Sequence, residues 1–153
     1  MSARNAGLIP PPPLVYLAFI ACGWWLAGRV PLDLPPHAAT DLGGWVLMLA
    51  GVALMGWAAL AMHRHRTTIN PYGTPKRLLQ TGPFRLSRNP IYLADTLVYC
   101  AVAFWLDSLW PWLLLPALTL TMQRSVIVPE ERLLSRLFGD EYRRYQAQVR
   151  RWL

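Results

Sequence analysis

The sequence predicts an all-α integral membrane protein with about four transmembrane helices, a tight hairpin between the third and fourth, and a C-terminal amphipathic helix. Three observations carry that prediction. Hydrophobic residues make up 54% of the 153, with eight tryptophans and a positive mean hydropathy, which is membrane-like rather than soluble composition. The apolar residues fall in runs of near-spanning length. The basic residues cluster on what would be one side of those runs.

The chain is read as one membrane domain, 1–153, with helices at about 14–30, 43–63, 90–106 and 108–128. A cytoplasmic loop covers 64–89 and an amphipathic helix 130–150. Leu42 to Met62 is the clearest span, 21 residues without a charge, which at about 1.5 Å per residue covers about 30 Å of hydrocarbon. Leu14 to Gly28 follows the prolines Pro10 to Pro13, and no small-x-small cleavage site follows it, so it reads as a retained helix. Ile91 to Leu106 carries Asp95 within it, and Ser108 to Gln123 is short, so both need tilt or neighbours to span. Asp107-Ser108 makes the tight turn between them. After Pro129, Leu134, Phe138, Tyr142, Tyr145 and Val149 recur at helical spacing with arginines on other faces, the pattern of a helix lying along a surface. Cys22 and Cys100 sit in apolar runs and read as buried free thiols.

The net charge of +7 would suggest nucleic acid as partner in a soluble protein, but its placement argues for a bilayer and against nucleic acid. Six of the 15 Lys and Arg lie between Arg64 and Arg88 and seven from Arg124 onward. The opposite loops carry Asp33, Asp41 and Asp107. The positive-inside rule therefore puts both termini and the 64–89 loop in the cytoplasm. His63 and His65 read as headgroup-zone residues, and no metal site is expected. Trp24, Trp25, Trp45, Trp105, Trp110 and Trp112 read as interfacial belts.

Two polar clusters then face the same side. In Thr81-Gly82-Pro83-Phe84-Arg85-Leu86-Ser87-Arg88-Asn89-Pro90-Ile91-Tyr92, turn formers precede a helix that opens on Pro90. The free amides of that first turn can receive a carboxylate. Glu130 and Glu131 follow Pro129 in the first turn of the next helix, where the helix dipole alone would favour them. Together the clusters suit a zwitterionic ligand.

Gly82-Pro83-Phe84, Arg88-Asn89-Pro90-Ile91-Tyr92 and Glu130-Glu131 with Leu134, Phe138-Gly139 and Tyr142 resemble the signature of the isoprenylcysteine carboxyl methyltransferase family, related to phospholipid methyltransferases. The resemblance covers roughly residues 65–153. It implies a membrane methyltransferase that takes S-adenosyl-L-methionine from the cytoplasm and a lipophilic or lipid acceptor from the bilayer. By position, Lys76, Arg77, Leu78 and Leu79 would line the cofactor pocket, with Phe84 as its aromatic wall. Asn89, Pro90, Ile91 and Tyr92 would form the next part, and Glu130 would close it. Arg88 and Glu131 belong either to the pocket or to an ion pair that orients the loop.

Two positions depart from that family. Asn89 stands where histidine is usual, which removes a titrating ring. Val126 stands where an arginine holds the substrate carboxylate, leaving Arg124 as the nearest candidate and arguing against prenylcysteine as acceptor. Asp95 and Arg124 are the candidate catalytic residues. A carboxylate inside a membrane helix is a functional hypothesis by default, although Asp95 could equally hydrogen-bond a neighbouring helix or pair with Arg124. The competing reading of the whole chain is a noncatalytic four-helix membrane scaffold or a lipid-binding protein.

Overall fold

The computed structural model describes residues 11–34, 38–65 and 77–153. Among these residues five α-helices follow in order: α1 Pro12–Arg29, α2 Ala38–Arg64, α3 Pro90–Trp105, α4 Trp110–Met122 and α5 Val128–Gln148. A 3₁₀ turn, Gly82–Arg85, lies before α3, and a π turn, Gln123–Ile127, joins α4 to α5. Lys76, expected to line the cofactor pocket, lies outside the described residues.

Prolines set the starts. Each of α1, α3 and α4 has a proline in its first two positions, where the missing N–H is no loss and φ is already helical. The sequence expected α4 to stop near 128 and a separate helix to begin at 130. Instead Pro129 sits at a helical start that the π turn feeds directly, so α4 and α5 form one run. Gly139, at φ +50°, ψ −119°, bends that run in a conformation that strains any residue with a Cβ.

Small residues bring α2 against α3. Gly44, Gly51 and Ala58 recur every seven residues on α2. A Cβ at Gly51 would lie 2.9 Å from Val98 Cγ2 and 3.0 Å from the Ala94 carbonyl oxygen. Buried Ala94 and Ala101 face this seam from α3. α1 packs on both α3 and α4, meeting Pro111 at Gly23, where an added Cβ would be 3.2 Å from the proline ring. The turn between α3 and α4 is as tight as predicted, with Asp107 at φ 46°. The two helices nevertheless touch each other sparsely, and α1 packs against both.

Tyr99 O–H donates to the Pro111 carbonyl at 2.7 Å, within a core of Val15, Tyr16, Tyr92, Leu118, Met122, Val126 and Ile127. At the far end, Leu34 N–H bonds the Asp107 carbonyl and Leu109 N–H the Leu32 carbonyl, both at 2.8 Å, so the α1 and α3 exits pair. The Trp45 and Trp105 rings meet there tilted by 59°, with centroids 4.9 Å apart.

The outer surface is apolar. Leu42, Trp45, Val46, Leu49, Val52, Trp57 and Leu60 of α2 are all exposed. Among the described residues, Asp41–Arg64 is the one helix long and apolar enough to cross a membrane by length and composition. Cys22, expected to be buried, is exposed on this apolar outer surface, and Cys100 is half-buried; both are free.

Candidate functional site

Tyr92, in the first turn of α3, and Glu130, in the first turn of α5, meet directly. The Tyr92 hydroxyl donates to Glu130 Oε2 at 2.9 Å. Tyr92 is itself held from below, since its carbonyl accepts from Tyr16 O–H at 3.0 Å and from Thr96 Oγ1 at 2.8 Å. Burial raises the Glu130 pKa above the ordinary carboxylate range. The Tyr92 bond opposes the rise and the charge of Glu131 adds to it.

Glu131 has a different fate. Arg151 grips it with two bonds, Nε to Oε1 at 2.9 Å and an Nη to Oε2 at 2.7 Å, and Arg88 reaches Oε1 at 3.2 Å. The carboxylate is thus shared by two arginines, and its bond to Arg151 raises that guanidinium's pKa. Of the two roles expected for Glu131 and Arg88, the structure displays the ion pair. The Arg88 side chain is nine-tenths buried, and its Nε and second Nη have no hydrogen-bond partner among the described residues. Unpaired buried donors are costly, so Arg88 retains binding capacity that the described residues do not use. The nearby Tyr142 hydroxyl is pushed up to about 12, by burial and then by Glu131, with the Arg88 charge opposing.

Asn89, a residue well suited to cap a helix, makes no side-chain cap on α3. Its Nδ2 donates instead to the Arg151 carbonyl at 2.9 Å, while Ser87 Oγ accepts from Asn89 N–H at 3.1 Å. The first-turn amides of α3 are therefore left uncapped by side chains, as the sequence expected. Tyr145 O–H donates to the Phe84 carbonyl at 2.6 Å, fixing the 3₁₀ turn against α5, and Gln80 Nε2 reaches Glu141 at 3.1 Å. Gly82, at φ +61°, makes the turn possible against Trp57 of α2.

The remaining candidates divide. Leu78, Leu79, Phe84 and Ile91 are half-buried, Pro90 is buried, and Arg77 is exposed. Asp95 is half-buried and has no hydrogen bond or ion pair among the described residues, while Arg124 is exposed on the π turn and does not pair with it. Sequence reasoning missed Arg151, Ser87 and Tyr16. Arg151 had been counted only as part of a basic tail, and its neighbour Trp152 was the sole sign that the tail packs inward.

The phospholipid methyltransferase family model matches residues 40–141, two thirds of the chain and both polar clusters. The protein belongs to the phospholipid methyltransferase family. That family includes the isoprenylcysteine carboxyl methyltransferases, so the resemblance drawn from the motifs holds, and a methyltransferase is indicated at the coarse level. A Haemophilus influenzae protein described as uncharacterized is 41% identical over 63 residues, 41% of this chain and all of that one. No solved structure matches. Within this family member, α1 and the segment after Glu141 lie outside the matched region, yet they supply Tyr16 and Arg151 to the site.

Proposed function

We propose that the protein is an S-adenosylmethionine-dependent methyltransferase embedded in a bilayer, acting on a lipophilic acceptor at its cytoplasmic face. The observation that carries this reading is the Tyr92–Glu130 bond, which joins the two family motifs into one polar site at the end of an apolar bundle. The residues present fit such a cofactor. Glu130 offers negative charge to an ammonium or to ribose hydroxyls, and Arg88 offers positive charge and unpaired donors to a carboxylate, which the covering side chains must shift to expose. Phe84 offers an aromatic face, with Leu78 and Leu79 as apolar lining and Asn89, Pro90 and Ile91 as the neighbouring wall. When bound, the cofactor supplies a methyl group already made electrophilic by its sulfonium. The chain's own task is then to orient and to exclude water.

The exposed apolar belt supports membrane embedding. A soluble protein seldom presents that many large apolar residues on one helix. Four spans follow if α1, α3 and the α4–π run cross beside α2, with both termini and the 64–89 loop cytoplasmic by charge. Asp95 faces the acceptor side in this reading, where a carboxylate could orient a substrate group; Arg124 at the surface is left to headgroups. The acceptor is a lipid or lipophilic small molecule.

A scaffold or lipid-binding protein would account for the Glu131 ion cluster equally well, but gives no work to the Glu130 carboxyl, which meets only the Tyr92 hydroxyl among the described residues. Titration of S-adenosylhomocysteine into detergent-purified protein, beside Glu130→Ala, separates the two. Saturable binding lost in the variant supports the methyltransferase, and absence of binding in folded wild-type protein overturns it.

A further inference from the structure

Arg151 makes four bonds that together span the site. Its guanidinium holds Glu131, at the start of α5, with two of them. Its carbonyl accepts the other two, from Ser87 Oγ at 3.2 Å and Asn89 Nδ2 at 2.9 Å, on the turn that starts α3. The preceding carbonyl, of Arg150, accepts from Arg88 N–H at 3.0 Å. One residue near the C-terminus is thereby fastened to both helix starts whose side chains, Tyr92 and Glu130, meet. Trp152 packs against the core and keeps the segment down. Tyr92 lies three residues beyond Asn89, and Glu130 is adjacent to Glu131, so a shift of either anchor displaces one partner of the 2.9 Å bond.

We infer that Arg151 is a positioning residue for the cofactor site, setting the α3 start against the α5 start so that Glu130 stays ordered and free for ligand. Arg151 lies beyond the part of the chain that the family model covers. The inference rests on the reading of Glu130 as a ligand-binding group.

The test uses the full-length protein in detergent. Arg151→Met keeps the aliphatic stem and removes both side-chain bonds. It is expected to weaken S-adenosylhomocysteine binding by about tenfold or more, and Arg151→Lys to restore part of the loss. If Arg151 works through Glu130, the Glu130→Gln/Arg151→Met double variant binds no more weakly than the weaker single variant. Wild-type affinity in Arg151→Met, or additive losses in the double variant, overturns the inference. Should Arg151→Met fail to fold, Arg151→Lys against Glu130→Gln gives the same cycle.

Amide hydrogen exchange supplies a readout that needs no ligand. Faster exchange at 86–89 and 130–133, with α1 and α4 unchanged, is expected in Arg151→Met, and unchanged exchange overturns the positioning role. Wild-type protein that binds no S-adenosylhomocysteine yet shows that exchange pattern defeats the proposed function alone.

Discussion

Removing one oxygen atom tests the centre of the site. Tyr92→Phe keeps the ring in its buried place and deletes only the donor to Glu130 Oε2, a bond of 2.9 Å. A hydrogen bond to a charged acceptor contributes about 1.5–3 kcal/mol, and about 1.4 kcal/mol corresponds to tenfold in affinity. Part of that is recovered by water, because Glu130 is only half-buried, so the lower end applies and about a tenfold loss of S-adenosylhomocysteine affinity at neutral pH is expected. The pH dependence gives a second handle. Burial already raises the Glu130 pKa and the Tyr92 bond holds it down, so the variant's pKa rises further. Ligand binding needs the carboxylate, so affinity falls as pH drops through that pKa, and the fall begins at higher pH in Tyr92→Phe than in wild type. Calorimetric titration across pH 5 to 8 reads both effects. Equal affinity and a superimposable pH profile would refute the assignment of Glu130 as a charged ligand contact oriented by Tyr92.

Neighbouring carboxylates should fail differently: Glu131→Gln leaves Arg88 and Arg151 without their anion and should cost on the order of 3 kcal/mol of stability, seen in thermal unfolding, whereas Glu130→Gln should lower ligand affinity with the midpoint nearly unchanged. On α2, Gly51→Ala drives a methyl into Val98 and the Ala94 carbonyl and should destabilise by about 1–3 kcal/mol, while Gly56→Ala, with open space around it, should be neutral or stabilising by up to about 1 kcal/mol; equal midpoints for the pair would refute the close α2–α3 seam. Asp95→Asn should leave S-adenosylhomocysteine affinity intact and slow turnover once an acceptor is in hand; unchanged turnover removes Asp95 from the acceptor side.

What was legible in the sequence was what local chemistry determines. The prolines at helix starts, the charge-free run of α2 and the three-four spacing of Leu134, Phe138, Tyr142 and Tyr145 each state an element directly, and each element is present. Tyr142 and Tyr145 are buried on that face as the spacing required. The continuity of α4 into α5 was not legible, because a π turn changes the backbone register without a sequence cue as strong as the proline that follows it. The place of α1 against α3 and α4 depends on Gly23 meeting Pro111 across the bundle, a contact between residues 88 positions apart. Arg151 was hidden for a related reason: in a tail with several arginines, periodicity cannot tell which one turns inward to a carboxylate.

The Glu130-Glu131 pair shows how adjacent residues of one type acquire different work. Successive positions on a helix point about 100° apart, so at the α5 start one carboxylate faces Tyr92 while the other faces Arg88 and Arg151. Two arginines offset the desolvation of Glu131, leaving a rigid anchor. Glu130 instead accepts from a neutral hydroxyl, which orders it. In this chain the two consecutive glutamates therefore divide into one held by two arginines and one met by a hydroxyl. The partners that enforce the division come from opposite ends of the chain: Tyr16 reaches Tyr92 from α1, and Arg151 reaches Glu131 from beyond α5. The segment that carries the motif depends on those flanks for the geometry that distinguishes the two glutamates.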